Sequence, residues 1–542
     1  MKRIFRNIAL NWKSGLTVAL ISIPLSLSLA IASGATPIMG IITAIWAGLV
    51  AAIFGGSEFN VVGPAGALSG ILASFAMRFG APMLPLLAIL SGIVIFCFYL
   101  LKWDRYLVFI PSSVMHGFTL GVGLTIALGQ MNAALGLKGL PVRDSLLLNA
   151  YESFLHLQQS EWHTAVIFAV ALVLLFALSK RIPRVPSAVV VAVIGMIVGY
   201  LSESGTLPFH LDTLLSKYGT FHATLIQIPS FGTPAIDFAF VKAVCTVAVV
   251  AVLETLLSAK IVDGMTRTRF NQSREMFGLA LANIASGLAG GLPATGVLAR
   301  TALNAKSGAV SRFSSGINAL FVLLIALMLF GWFQYLPLAV VAAILVFAAI
   351  RMVEAEHFAK IFLFDKSSFW LAMLVAGLTF GVDPMIGILV GATVSLLTFA
   401  QHLSRGQTEL TLHKNGKIVA RIPHHRLAEY NGESDVIVYR FAGELTYFNA
   451  KSHEDAIRKI KSDTLILSLR NLFYIDLDGL DILEEIILHQ ETSGRKVIIT
   501  GASEFIKPLL EKILWFVNME KKGLVFGSTT DALKFLGFPL GT

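Results

Sequence analysis

The feature that most constrains this chain is a succession of apolar runs, each about 20 residues long, the length an α-helix needs to cross the hydrocarbon core of a bilayer. Twelve such runs lie near 16–34, 37–55, 82–101, 107–131, 162–179, 186–202, 236–259, 276–291, 314–331, 335–351, 367–382 and 384–403. A polar stretch from Ser202 to Pro234 divides them into two series of equal number. With 56% of 542 residues apolar and only 14% charged, the chain carries more apolar surface than a water-soluble core can hide. Its solvent is lipid.

Two further segments, 61–77 and 293–305, are shorter, rich in small residues and interrupted, the first by Gly63-Pro64 and the second by Pro293 and Gly296. Each is third in its half, so counting them predicts seven plus seven crossings. Charge supports that count. With the N-terminus inside, Lys102 and Arg105, then Lys180, Arg181 and Arg184, then Lys260, Arg267, Arg269 and Arg274, then Lys306 and Arg312, then Lys360 and Lys366 all fall on the cytoplasmic side, as do both termini. Arg78 and Lys138 stand outside as exceptions. Lys2, Arg3, Arg6 and Lys13 before Leu16 resemble the start of a signal peptide, but the apolar pattern runs on through Pro37 to Phe54, so the first span is expected to stay uncleaved. The net charge of +9 therefore reflects membrane topology, and no nucleic-acid partner is expected. Cys97 and Cys245 sit singly in apolar stretches, which argues against disulfides and a metal site.

Broken segments at matching places in two halves point to a binding site built from inverted repeats. Gly63-Pro64 blocks a continuing helix, and Ala65-Gly66-Ala67-Leu68-Ser69 can begin a new one with Pro64 near its first turn. Leu292-Pro293-Ala294-Thr295-Gly296 does the same before Val297-Leu298-Ala299-Arg300-Thr301. Two half-helices would start near the bilayer midplane and face each other. Each N-terminus offers unsatisfied N–H groups and about half a positive charge, so a converging pair suits an anion. Arg300, expected one turn into the second half-helix, costs at least about 2.5 kcal/mol at that depth unless it faces a partner or a wet cavity, so it should face the site. The alternative is an arginine paired with a carboxylate for packing alone. Glu254, the acid in the interior of the eighth span, is the candidate partner, and an intramembrane carboxyl group can also take up and release a proton. The plainer alternative is a structural Glu254 near the cytoplasmic end, reaching for water. Asp263, closer to the basic loop, reads as topological.

The run Phe59-Asn60-Val61-Val62-Gly63-Pro64-Ala65-Gly66-Ala67-Leu68-Ser69 resembles the third-span motif of the sulfate permease (SulP) family. Gly291-Leu292-Pro293-Ala294-Thr295-Gly296 through Ala299-Arg300-Thr301-Ala302-Leu303-Asn304 resembles the tenth-span segment of that family, and Ile23-Pro24 to Ala32 its first span. The resemblance implies a polytopic α-helical membrane protein with a seven-plus-seven inverted repeat, in which a core domain moves against a gate domain. It implies an anion held between the third and tenth spans. Carried over, Ala65, Gly66, Ala67 and the Ser69 hydroxyl would line one wall and Val297, Leu298, Ala299 and Arg300 the other. Glu254 with Ser258 looks like the proton-coupled relatives, while relatives with Asp there use sodium, so sodium stays open. The chain has Leu25 and Ser26 after the first-span proline where eukaryotic relatives often carry Gln, which weakens transfer of their substrate preference. Homodimers are common in the family.

After Gln401 the composition turns charged and mixed, as in a domain that folds in water. The expected division is a transporter domain over 1–405, with repeats at about 1–205 and 236–405, and a cytoplasmic domain over 406–542. Strands are predicted at Val436 to Phe441, Thr464 to Leu469 and Lys496 to Thr500, with helices near Asn449 to Lys461, Leu480 to Gln490 and Ile506 to Ile513. This α/β order resembles a STAS domain, whose loop motif matches Ile475-Asp476-Leu477-Asp478-Gly479. In anti-sigma-factor antagonists the residue after the aspartate is a phosphorylated serine. Leu477 has no hydroxyl.

Together these readings predict a secondary active transporter of small anions such as sulfate, bicarbonate or a dicarboxylate, proton-coupled by symport, in a bacterial-type inner membrane. A channel-like anion uniporter or exchanger, and an anion sensor signalling through the STAS-like domain, are the alternatives. No Walker-type glycine loop and no metal-spaced cluster suggests an enzyme or a cofactor. His116 and His210 are read as isolated, and His424-His425 as part of a polar linker.

Overall fold

The computed structural model of the protein describes residues 2–103, 105, 111–140, 146–182, 186–220, 225–229, 237–353, 355–404, 409–414, 417–423, 434–460 and 462–538. Arg184, His424, His425, the residues at 107–110 and part of the polar stretch between the two halves lie outside these. The chain divides into two compact units, Met1–Thr393 and Val394–Thr542.

The first half of the larger unit runs α1 (Lys2–Ala32), α2 (Pro37–Phe54), the two-residue strand β1 (Val62–Gly63), α3 (Gly66–Phe79), α4 (Leu84–Leu100), α5 (Ser112–Gly129), the short α6 (Met131–Leu135) and α7 (Leu146–Leu155), α8 (Trp162–Arg181) and α9 (Ser187–Glu203). After the short α10 (Leu214–Tyr218), the second half repeats the order: α11 (Phe238–Thr266), α12 (Gln272–Leu288), β2 (Thr295–Gly296), α13 (Leu298–Lys306), α14 (Phe313–Phe333), α15 (Leu338–Met352), a short α16 (Ala355–Phe364), α17 (Lys366–Gly381) and α18 (Pro384–Ser404). Nine of the described helices are long and apolar enough to cross a membrane, and α3 and α9 are shorter apolar helices. The protein is a multi-pass membrane protein with the expected seven-plus-seven repeat.

The packing carries the repeat as well. The contact of α12 with α4 is matched by that of α2 with α14, α11 on α4 by α1 on α14, and α17 on α5 by α8 on α15. Two bundles result, one of α1, α2, α4, α11, α12 and α14 and one of α5, α8, α9, α15 and α17. Lipid offers no hydrophobic drive for helices to associate, so close backbone approach through small residues has to supply the packing. Gly92 on α4 leaves only 2.8 Å between a would-be Cβ and the Ala280 carbonyl of α12, and Gly121 on α5 only 2.7 Å from the Ala376 carbonyl of α17.

Several expectations are corrected. α1 begins at Lys2 and not near Leu16, because the basic N-terminal stretch continues the same helix. α11 runs to Thr266, so Lys260 and Asp263 lie on the helix; Asp263 accepts hydrogen bonds of 2.5 Å from both the Thr268 hydroxyl and the Phe270 N–H, closing the turn after it. His116 is not isolated, since its ring lies 3.8 Å from that of His357 on α16. The two exceptions to the charge rule are both ion-paired, Arg78 with Asp237 at 2.6 Å and Lys138 with Glu161 and Asp212 at 3.1 and 3.0 Å.

In the smaller unit β3 (Glu409–Lys414), β4 (Lys417–Pro423), β5 (Ser434–Leu445), β6 (Ser462–Ile475), β7 (Lys496–Thr500) and β8 (Val525–Phe526) form one sheet in the order β4-β3-β5-β6-β7-β8. β3 pairs antiparallel with its neighbours and the remaining pairs are parallel. Alternation along the strands sends Ile437, Tyr439, Leu465, Leu467, Val497 and Ile499 to one face, against α19 (Ala450–Arg458), α20 (Leu477–Thr492), α21 (Lys507–Leu510) and α22 (Leu514–Lys521). Val436, Val438, Ile466 and Ile498 face the other way, against α23 (Thr529–Phe535). β5 and β6 extend beyond their predicted ends at Phe441 and Leu469, because the parallel pairing carries on through register shifts between Arg440 and Glu444. The expected α20 starts three residues early, at Leu477, where Asp476 accepts a 2.8 Å bond from the Gly479 N–H and caps it.

Candidate functional site at the meeting of two half-helices

β1 and β2 pair antiparallel, Val62 with Gly296 and Gly63 with Thr295, and each leads directly into a helix. That miniature bridge fixes where α3 and α13 begin. Pro64 lies two residues before α3 and not in its first turn, since the helix starts at Gly66 with Ala65 in an extended conformation before it. α13 starts at Leu298, so Arg300 is its third residue and not one turn along. Neither helix has a side chain capping its N-terminus. The first backbone N–H groups of both are left to whatever occupies the space before them.

Ala65, Gly66, Ala67 and Ser69 are all buried. Gly66 faces Ile126 of α5 and the Met352 sulfur of α15, 2.9 and 3.1 Å from a would-be Cβ, so the first turn of α3 abuts the second bundle. The Ser69 hydroxyl donates to the Gly66 carbonyl at 2.7 Å and steadies that turn. On the other side Val297 and Leu298 are half-buried and Ala299 is exposed, so the first turn of α13 borders accessible space.

Arg300 is 1% exposed. One terminal nitrogen donates to the Pro64 carbonyl and the other reaches the Ser26 hydroxyl of α1 at 3.5 Å, while Nε has no partner. The guanidinium lies against Gly63, its nearest nitrogen 2.9 Å from where a Cβ would stand. Arg300 thus links α13, the turn before α3, and α1. Glu254, on α11, has a buried Oε2 with no hydrogen-bond partner; it lies beside the Thr295 hydroxyl and within electrostatic reach of Arg300, without an ion pair joining the two. Ser258, one turn further on, is engaged elsewhere, donating to Asn60 Oδ1 at 3.0 Å.

Sequence reasoning missed a buried polar network behind this site. Asn60, just before β1, donates to Glu275 at 2.6 Å and accepts from Ser258 and Thr301. Thr255 bridges β2, receiving the Gly296 N–H at 2.8 Å. Asn304 donates to the Phe59 carbonyl at 2.9 Å, and Asn283 holds both the N–H and the carbonyl of Ala294. The available signal was the density of Asn, Ser and Thr within apolar spans, each of which needs a buried partner. Among the described residues no group of three or more His, Cys, Asp or Glu could hold a metal ion. A cavity of about 340 Å³ lies elsewhere, walled by apolar side chains including Leu20, Pro24, Met196, Ile197 and Trp332, with nothing to hold an anion.

Comparison with known proteins agrees with this architecture. The sequence profile described as the sulfate permease family matches residues 9–375, and that of the STAS domain residues 428–519. A putative sulfate transporter of Bacillus subtilis is 29% identical over 94% of this chain and 94% of its own length. A bicarbonate transporter of Picosynechococcus is 24% identical over 98% of this chain and 95% of its own. The structure of the murine solute carrier family 26 member A9 anion transporter, solved in the inward-facing state, superposes with a TM-score of 0.81 at 16% identity, covering 97% of this chain and 91% of that one, which establishes the fold. With two half-helices meeting across a short antiparallel bridge, a repeated bundle around them and a family profile spanning most of the membrane unit, the chain belongs to the sulfate permease family.

Proposed function

We propose that this protein is a secondary active transporter of a small oxyanion, driven by a proton gradient and working by alternating access. The observation that carries the reading is the pair of uncapped half-helix N-termini, α3 and α13, brought together by β1 and β2 with the buried guanidinium of Arg300 between them. Two helix ends and one arginine place on the order of two positive charges at one point in a low-dielectric wall, enough to favour sulfate, or bicarbonate with a partly compensating carboxylate. Relatives named as sulfate and as bicarbonate transporters support an oxyanion of this size.

On this reading the backbone of Ala65, Gly66 and Ala67 and that of Leu298 and Ala299 supply the N–H donors, Val297 lines the wall with its own N–H held by the Val61 carbonyl at 3.0 Å, Ser69 steadies the first turn, and Arg300 supplies the charge. Glu254 carries the coupling proton, since its unpartnered oxygen sits on a helix that borders the site. The bundle of α5, α8, α9, α15 and α17 moves against the other to expose the anion alternately to each side. Both termini lie in the cytoplasm of a bacterial-type cell, so the STAS domain is cytoplasmic, and two chains form the working dimer. Leu477, with no hydroxyl, leaves that domain without a phosphoserine switch at this position.

Purified protein in liposomes provides the test. Radiolabelled sulfate or bicarbonate should accumulate when the imposed pH gradient is directed inward and should not when it is collapsed. Binding without flux would instead indicate a sensor, and current indifferent to the proton gradient a channel.

A further inference from the structure

The buried pair Glu275 and Asn60 lies behind the anion site, and elements that shape the site converge on it, the first turn of α13 through Thr301 among them. Glu275, in the first turn of α12, is 3% exposed. One of its oxygens accepts the backbone N–H groups of Gly56 and Ser57 at 2.7 and 2.8 Å, and the other accepts the Asn60 amide at 2.6 Å. A carboxylate can only accept, so the Asn60 nitrogen must face it and the Asn60 oxygen must face away. On that far side wait two hydroxyl donors, Ser258 of α11 at 3.0 Å and Thr301 of α13 at 2.9 Å. Thr301 in turn receives the Val61 N–H at 3.1 Å, and the Asn60 carbonyl receives the Ser315 hydroxyl of α14 at 2.8 Å. Gly296 closes the node from β2, with a would-be Cβ only 2.6 Å from the Asn60 nitrogen.

We infer that Glu275 and Asn60 are positioning residues for the anion site: the carboxylate fixes the orientation of the amide, and the amide fixes the offset of α13 and α11 from the turn that begins α3. This inference rests on the transport reading above. The orientation is directional, so it can be inverted. In Asn60→Asp alone two carboxylates meet. In Glu275→Gln alone an N–H of the new amide must face either the Asn60 amide or the Gly56 and Ser57 N–H groups. Together the two changes restore the bonds to Gly56, Ser57, Ser258 and Thr301 and replace the Asn60–Glu275 bond by one of reversed sense, with the glutamine oxygen accepting from the backbone, its nitrogen donating to Asp, and Asp accepting from both hydroxyls; only the 3.3 Å bond from the Asn60 amide to the Thr255 carbonyl is lost.

The experiment measures half-saturation for radiolabelled sulfate and bicarbonate in liposomes, on full-length protein that elutes as folded material in gel filtration. Each single variant should raise the half-saturating concentration by about tenfold or more, and the double variant should return to within about threefold of the parent. Should a single variant fail to fold, Ser258→Ala, which removes one donor and introduces no clash, carries the test and should raise half-saturation by about threefold. Wild-type half-saturation in the folded single variants or in Ser258→Ala, or a double variant no better than the singles combined, would overturn the positioning role. Failure of the parent protein to take up either anion would overturn the transport reading itself.

Discussion

The guanidinium of Arg300, in the first turn of α13, donates to the carbonyl of Pro64 at the entrance to α3, so one half-helix holds the start of the other. An arginine that bridges two N-termini brings charge and geometry at once. A lysine would bring charge alone, because it lacks the planar fork that reaches Pro64 and Ser26 together. Arg300→Lys is therefore expected to lower anion uptake by on the order of tenfold or more while the protein still inserts and folds. Gly63→Ala should do the same from the other side, since its methyl would stand 2.9 Å from the guanidinium. Initial uptake rates in liposomes, normalised to reconstituted protein, check both.

Glu254 lies near Arg300 without an ion pair and keeps one buried oxygen without a hydrogen-bond partner, which under the proposed mechanism carries the coupling proton. Glu254→Gln should abolish accumulation driven by an inward proton gradient while changing equilibrium anion binding by no more than about threefold. Uptake and binding measured on the same preparation separate the two effects.

Asp476 ties together two parts of the STAS domain, capping α20 through the Gly479 N–H at 2.8 Å and accepting the Tyr447 N–H at 3.0 Å. Asp476→Ala should cost about 1 kcal/mol locally. Hydrogen exchange by mass spectrometry should show amides in the first turn of α20 exchanging roughly fivefold faster, with β7 unchanged.

His413 on β3 has its pKa held below the ordinary 6.5 by burial, and further by the nearby guanidiniums of Arg440 and Arg421. The folded domain therefore resists a proton that the unfolded chain accepts. The stability tied to this group is fully present above the unfolded value and falls as pH drops below it, until the folded value is reached. Peptides spanning Glu409–Lys414 should lose exchange protection as pH falls below the ordinary histidine value of 6.5, after correction for intrinsic rates, and His413→Gln should flatten that dependence.

Most of the membrane architecture was legible because spanning length and loop charge are imposed by the bilayer itself. The breaks at Gly63-Pro64 and at Pro293 to Gly296 marked α3 and α13 to within a few residues, because proline and glycine act locally. The bond from Arg300 to Pro64 and the Asn60 node were not legible. Both join residues more than 200 positions apart, and no periodicity within one helix encodes which polar side chain a distant helix will meet. β3 and β4 escaped because their strands are short and charged, although Asn-Gly at 415–416 is a recognised hairpin signal. α1 was read as starting late because its basic first turns lack the apolar pattern that marked the rest.

The central claim is that an anion sits between the two half-helix ends. An anomalous difference map from crystals grown with selenate, a heavier stand-in for sulfate, tests it most directly. The account predicts a peak bounded by the backbone of Ala65 to Ala67 on one side and Val297 to Arg300 on the other. A protein that accumulates the anion but shows its peak elsewhere, with that space filled by side chains, would contradict it.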